Sequence, residues 1–313
     1  MDRRHAYGRR RFLAALGTAA AGWTCRTGLA QPVLAAPGAP IRRPIPASGE
    51  LLPAIGLGTW ITFDAGSDPR RRDALAPVLQ AFFERGGTLI DSSPMYGSAE
   101  AVIGALLPRM LGRPVPFAAT KVWIVGRGAG IGQMEASRRL WGVPRFDLMQ
   151  IHNMVDWPAH LKTLKAWKAE GRVRYIGITT SHGRRHAEME KAIATEPFDF
   201  VQFTYNFADR EAERRLLPLA AERGVAVIAN RPFDGGNLFA RVQGRPLPPW
   251  ARDFDCATWA AFFLKFVVSH PAVTCAIPAT SQAPHMLENM GALYGRLPDA
   301  ATRERMIRHF EAL

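Results

Sequence analysis

Eight short apolar runs recur along the chain at nearly even intervals, and they restrict the possible folds more than any other feature. The runs are AIGLGTW (54–60), GTLIDSS (87–93), VPFAATKVW (115–123), FDLMQIH (146–152), VRYIGIT (173–179), FDFVQFTYN (198–206), GVAVIANRP (224–232) and VTCAIPA (273–279). Their first residues stand 33, 28, 31, 27, 25, 26 and 49 positions apart. Nearly every position in them is apolar, the pattern of strands covered on both faces. Several gaps carry apolar residues at three- and four-residue spacing, as in 73–86, 160–171 and 211–224, which predicts helices there. Gly86, Gly171 and Gly224 stand where such helices would need a residue with positive φ to end.

Strand and helix alternating eight times over about 250 residues predicts a (β/α)8 TIM barrel of the α/β class. An open doubly wound sheet would usually carry GxGxxG after its first strand. The nearest match, GRGAGIG at 126–132, has the wrong spacing and follows the third run. Ahead of the barrel, residues 41–55 read as a β-hairpin turning at Ala47–Glu50, expected to plug one end. Extra helices are expected at the C-terminus. The Gly- and Pro-rich segment 232–255 reads as a loop over an opening.

Residues 1–36 form a separate segment. A basic start, a short apolar stretch and then small residues make a signal-peptide layout. Arg9, Arg10 and Arg11 run into Phe12 and Leu13, an order resembling the twin-arginine export signal, whose carrier moves folded proteins. A basic tail is the alternative. The expectation is a leader over 1–36 cleaved after Ala30 or near Ala35, a barrel domain over 37–313, and a periplasmic or otherwise exported product. The export machinery is then a partner of the precursor. Cys25 lacks the neighbours of a lipidated cysteine, and no stable membrane anchor is expected. The leader holds six Arg and one Asp, so its removal lowers the formal charge from +13 to +8. No Lys/Arg block interleaves with aromatics, so nucleic acid is not an expected partner. Cys256 and Cys275 have no metal-like spacing and read as core thiols.

Active sites of such barrels gather at the C-terminal ends of the strands. The second, third and fourth runs end near Asp91, Lys121 and His152, one βα unit apart, and Tyr96 lies in the turn after Asp91. Each alone has an ordinary explanation: a turn acid, a solvated charge, a core histidine, a packed phenol. Lys121, however, sits in an apolar setting where an unpaired ammonium is expensive, and Asp91 on the next strand is its natural partner. A neighbouring ammonium pulls a phenol's pKa down. The expectation is a Tyr96 proton donor tuned by Lys121, with Asp91 holding Lys121 and His152 hydrogen-bonding a substrate oxygen. A proton donor cannot reduce a carbonyl alone, so a hydride-carrying cofactor is required.

The motifs LPAIGLGTW, SPMYGSAE (93–100, preceded by Asp91 and Ser92), ATKVW, DLMQIHN, GRVRYIGIT, FVQFTYN, VIANRPFDGG and IPATS…ENMGA, in this order across 41–313, resemble the aldo-keto reductase superfamily. The resemblance implies reduction of aldehydes and ketones with NADPH on a (β/α)8 barrel, with a small-molecule carbonyl as partner. It places the family's tetrad on Asp91, Tyr96, Lys121 and His152, with Tyr96 as general acid. Gln202 matches the glutamine that holds the nicotinamide. Thr179 and Thr180 stand in place of Ser-Asn, and Asn230-Arg231 in place of Tyr-Ser. The stacking tyrosine is therefore missing unless Tyr205 or Phe233 replaces it. Arg231 suits a pyrophosphate, or equally a local salt bridge. Glu288 and Asn289 match adenine contacts. Thr280, Ser281, Gln282 and His285 occupy the region of the 2′-phosphate without Lys or Arg, which leaves NADH open. Trp60 and Trp123 are candidates for an apolar substrate pocket, with Trp157 behind them. His182 and His186 lack a third metal ligand, so no metal is expected. A nucleotide-binding sensor with little turnover is the other functional class open at this point.

Overall fold

The computed structural model describes residues 38–110 and 112–313; the expected leader, 1–36, lies outside them. Two short strands, β1 (Arg42–Pro44) and β2 (Leu51–Pro53), pair antiparallel with Arg43 opposite Leu52. Their turn passes through Gly49 at φ 74°, a conformation that an L side chain rarely adopts.

The main sheet follows as alternating strands and helices. It begins with β3 (Leu57–Gly58), α1 (Pro69–Asp73), α2 (Ala76–Glu84), β4 (Leu89–Asp91), α3 (Ala99–Leu106), β5 (Phe117–Val122) and α4 (Arg127–Trp141). Next come β6 (Phe146–Ile151), α5 (Trp157–Ala169), β7 (Val173–Thr179), α6 (His186–Thr195), β8 (Phe200–Thr204) and α7 (Leu216–Glu222). The chain ends with β9 (Ala226–Asn230), α8 (Asn237–Val242), α9 (Trp259–Val268), β10 (Cys275–Ala276), α10 (Ala283–Gly291) and α11 (Ala300–Glu311). Strands β3 to β10 lie parallel, each beside its neighbour in the chain. Bridges Ile55–Ala276 and Gly58–Ala279 join the first strand to the last and close the barrel. At that seam a Cβ on Gly58 would come 2.7 Å from the Ile277 carbonyl oxygen, so only glycine fits.

All eight runs contain a barrel strand, and Gly86, Gly171 and Gly224 take φ of 80°, 72° and 64° at the helix ends. Three expectations need correction. The helix read over 73–86 begins only at Ala76, as α2, after a separate short helix, α1, that ends at Asp73. Asp68 caps α1 through the Arg70 N–H, and Pro77, which has no N–H to donate, restarts the chain as α2. The helix read over 211–224 begins only at Leu216, with Pro218 in the first turn where a missing N–H does no harm. The segment 232–255, read as a loop, contains α8 and a 3-10 turn over Pro249–Phe254.

Side chains alternate in and out along each strand, so the barrel interior is layered. At the bottom Phe117, Tyr175 and Phe200 pack ring on ring, with centroids 5.6 to 6.0 Å apart. Ile45 and Leu52 of the β1–β2 hairpin join the same buried cluster, so the hairpin closes this end. The Tyr175 hydroxyl lies 2.7 Å from Ser48 Oγ, and Arg174 pairs with Glu50, which fastens the plug at its turn. Leu89, Ala119, Leu148, Ile228 and Cys275 belong to the same buried cluster, and toward the C-terminal ends of the strands the interior turns polar. The helices pack around the outside through a second apolar core. Cys256 and Cys275 are buried free thiols. Among the described residues no helix is long and apolar enough to cross a membrane.

Candidate active site

The polar top layer starts from strand register. Asp91 ends β4, Lys121 lies in β5 opposite Gln150 of β6, and Gln202 lies in β8 opposite Thr179 of β7. Period-two alternation turns all of these side chains inward at one height. Lys121 is fully buried and its Nζ binds Asp91 Oδ2 and, at 2.8 Å, the Ser92 carbonyl oxygen. Asp91 Oδ1 accepts from Gln150 Nε2 at 2.8 Å and Gln202 Nε2 at 3.0 Å. The carboxylate is thus fully engaged, which a buried charge requires. Burial alone would push the Lys121 ammonium toward neutrality. Asp91, and then Tyr96, outweigh it and hold the pKa above that of a free lysine.

Tyr96 sits in the turn after β4, half-buried at the cavity wall, with Lys121 Nζ 5.1 Å from its ring centroid. Its pKa is raised: burial is the largest influence, Lys121 opposes it and Asp91 adds to it. The expectation that Lys121 brings the phenol below its ordinary value is corrected. The lysine limits the rise without reversing it, because the phenol is drier than a surface group beside an ammonium. Tyr96 therefore carries its proton throughout the neutral range.

His152 follows β6 directly and packs edge-on against Tyr96, ring centroids 5.6 Å apart. Burial, with help from the Lys121 charge, lowers its pKa to about 2, so the ring is neutral. The backbone turns away sharply after it, with φ of 50° at Asn153 and 58° at Met154. Such conformations of non-glycine residues persist only where the surroundings hold them. Here Arg185 donates to both carbonyl oxygens, at 2.8 and 3.0 Å, and Asn153 N–H donates to Thr179 Oγ1 at 3.0 Å.

These groups open on a cavity of about 450 Å³ at the C-terminal mouth of the barrel, with Asp91, Tyr96 and His152 on its lining. The structure brings Thr179, Thr180, Gln202, Asn230 and Arg231 onto the same lining, along with Trp60. Asn230 Nδ2 donates to the Thr180 carbonyl oxygen at 2.9 Å, and Thr204 Oγ1 donates to Asn230 Oδ1 at 2.8 Å. Arg231 reaches across the mouth, its guanidinium 5.9 Å from the Trp60 ring centroid and 3.3 Å from Asp234. Its Nε is buried without a partner among the described residues.

Other expected site residues lie elsewhere. Trp123 lies beside His152 at 6.5 Å between centroids but outside the lining, and Trp157 is tied to Glu188 at 2.8 Å. Tyr205 cannot replace a stacking tyrosine. It is fully buried, with its hydroxyl 2.6 Å from Arg303, whereas Phe233 does line the cavity. Thr280, Ser281 and Gln282 lie just ahead of α10 and His285, Glu288 and Asn289 within it, all past Ala279, the last lining residue. Thr280 and Asn289 are buried and the other four more open to solvent. His182 precedes α6 and does not share its helix with His186. Sequence reasoning missed Gln150, although a lone amide two residues before His152 has to share its inward face. It also missed Ser93, Met95, Asn153, Arg184 and Phe239; most of these sit in loops with no periodicity to expose them.

A family model for the aldo/keto reductase family matches residues 54–304. Among curated proteins, methylglyoxal reductase YeaE of Escherichia coli (strain K12) is 29% identical over 262 residues, covering 81% of this chain and 90% of that protein. Among solved structures, the thermostable aldo-keto reductase Tm1743, in complex with the inhibitor epalrestat, superposes with a TM-score of 0.70 at 25% identity. That match covers 87% of this chain and 99% of that one. An aldo/keto reductase from Klebsiella pneumoniae in complex with NADP and acetate gives 0.68 at 24% identity, covering 84% and 93%. The family pattern runs through all eight barrel strands and through the turn that carries Asp91 and Tyr96, and the chain belongs to the aldo/keto reductase family.

Proposed function

We propose that the chain reduces aldehydes or ketones to alcohols at this cavity, using NADPH. The observation that carries the reading is one arrangement. Tyr96, its proton retained, stands by the buried Lys121–Asp91 couple and beside a neutral His152, with Asp91, Tyr96 and His152 on one cavity lining. A carbonyl oxygen placed against Tyr96 meets the phenol and the imidazole edge together. Tyr96 gives its proton to that oxygen as negative charge gathers there, a general-acid role. Lys121 stabilises the phenolate left behind, and Asp91, steadied by Gln150 and Gln202, keeps Lys121 charged and in place.

The residues present fit a nicotinamide dinucleotide. Arg231 Nε is buried without a partner among the described residues, which suits a phosphate oxygen. Gln202 Oε1 receives Asn230 Nδ2 only at 3.5 Å, and has capacity left for a carboxamide N–H. Gln202, Asn230, Thr179, Thr180 and Arg231 would hold the nicotinamide end. Thr280, Ser281, Gln282, His285, Glu288 and Asn289 would meet the adenosine end. When bound, the reduced nicotinamide supplies the hydride that no side chain can. The relative solved with NADP supports the phosphorylated form. The same reading takes residues 1–36 as a twin-arginine leader and the mature protein as exported.

The test is nucleotide oxidation with NADPH and with NADH against a panel of aldehydes and ketones. Tyr96→Phe should lower turnover by about 10²–10⁴-fold, the contribution of a positioned proton donor, with nucleotide binding retained. Failure of the unaltered protein to turn over any carbonyl would overturn the reading.

A further inference from the structure

Resting on this reading of the cavity, we propose that Ser93 is a positioning residue that fixes the tautomer of His152, so that Nε2–H faces the substrate. Ser93 Oγ lies 2.8 Å from His152 Nδ1, and both residues are buried, Ser93 completely. The same hydroxyl oxygen accepts the Met95 N–H at 3.2 Å. Among the described residues, His152 Nδ1 is the only hydrogen-bond acceptor that the Ser93 proton meets.

A neutral imidazole carries one N–H, and the hydrogen bond at one nitrogen decides which nitrogen it is. Had Nδ1 the proton, two N–H groups would point at Ser93 Oγ and the serine proton would be stranded in a dry site. Buried donors are rarely left unmade. With the proton on Nε2, every group is satisfied: Met95 N–H donates to Ser93 Oγ, Ser93 O–H donates to Nδ1, and Nε2–H is left over. Nε2 has no partner among the described residues, and the ring lines the cavity. Nε2–H is therefore a donor held ready for a carbonyl oxygen already facing Tyr96. The other tautomer would put a lone pair against that oxygen and repel it. Ser93 follows Asp91 by two residues, so one turn supplies the anchor of Lys121, the orienter of His152 and the acid itself.

The experiment is ¹⁵N NMR of the histidine ring nitrogens in the full chain, with His152→Asn used to assign the signal. A protonated and an unprotonated ring nitrogen are resolved directly. The expected result is Nε2–H in the unaltered protein, loss of that single tautomer in Ser93→Ala, and its return in Ser93→Thr. In parallel, kcat should fall about five- to tenfold in Ser93→Ala, the worth of one net hydrogen bond, with KM little changed and with recovery in Ser93→Thr. A proton on Nδ1 in the unaltered protein, or an unchanged ring signal in Ser93→Ala, would overturn the proposal. The ring measurement needs no turnover, so absence of carbonyl reduction beside an Nε2–H ring would sink the proposed function alone.

Discussion

Tyr96 and His152 line the same cavity side by side, and burial acts on them in opposite senses. It favours the neutral form of each, which for tyrosine is the protonated one and for histidine the deprotonated one. The sign of the pH dependence follows. A group with a raised pKa keeps its proton until the pH climbs through that value, so Tyr96 loses its acid form only above the ordinary phenol range near ~10. His152 has already lost its second proton far below neutrality. The kcat/KM for carbonyl reduction, which reports the free enzyme, should therefore stay level through the ordinary histidine range near ~6.5 and fall only at strongly alkaline pH. A limb near neutrality would mean that His152 titrates there and that water reaches its ring. Asp91, Lys121 and His152 were legible from the sequence because each ends a run. The direction of the Tyr96 shift was not, since it depends on how much water the phenol loses, and no spacing records that.

At the scale of elements, the site is built by strands and finished by loops. Gly177, in the middle of β7, faces the same interior as Gln150; a Cβ there would come 3.0 Å from Gln150 Cγ and 3.0 Å from the Phe200 carbonyl oxygen. Gly177→Ala should destabilise the barrel by about 1–3 kcal/mol through overpacking, seen as a lower melting temperature. It should also lower turnover by moving Gln150 off Asp91. An unchanged melting temperature would show that Gln150 yields freely. The strand runs were readable because both faces are covered, and the hairpin because its turn carries Ser48, Gly49 and Glu50 between short apolar pairs. Helix ends were readable where glycine stops them, and helix starts were misread, since α2 begins only at Ala76 and α7 only at Leu216. Arg184 sits in a mouth loop with no period and Phe239 in α8, six residues long and too short to show one, which is why both became visible only once the chain was closed into a barrel.

At the scale of the whole molecule, the proposed leader ties the basic N-terminus to the fold. Replacing Arg9, Arg10 and Arg11 by lysine keeps the charge but removes the paired guanidinium pattern. The expected outcome is an uncleaved precursor retained in the cytoplasm, read by fractionation and N-terminal sequencing. Normal export of that variant would refute a twin-arginine route. The barrel itself adds a timing constraint. Its last seam joins Ile55 to Ala276 and Gly58 to Ala279, near opposite ends of the chain, through strands of only two residues each. Bringing such distant segments together has the largest loop-closure entropy of any pairing in the sheet. Contacts this remote in sequence also slow folding. Until the ribosome has released the segment around Ala276, the growing sheet has two open edges and no circumference. Closure can thus come only after the last strand has emerged, and a carrier that takes only folded cargo would by that fact be selecting for chains whose seam has already shut.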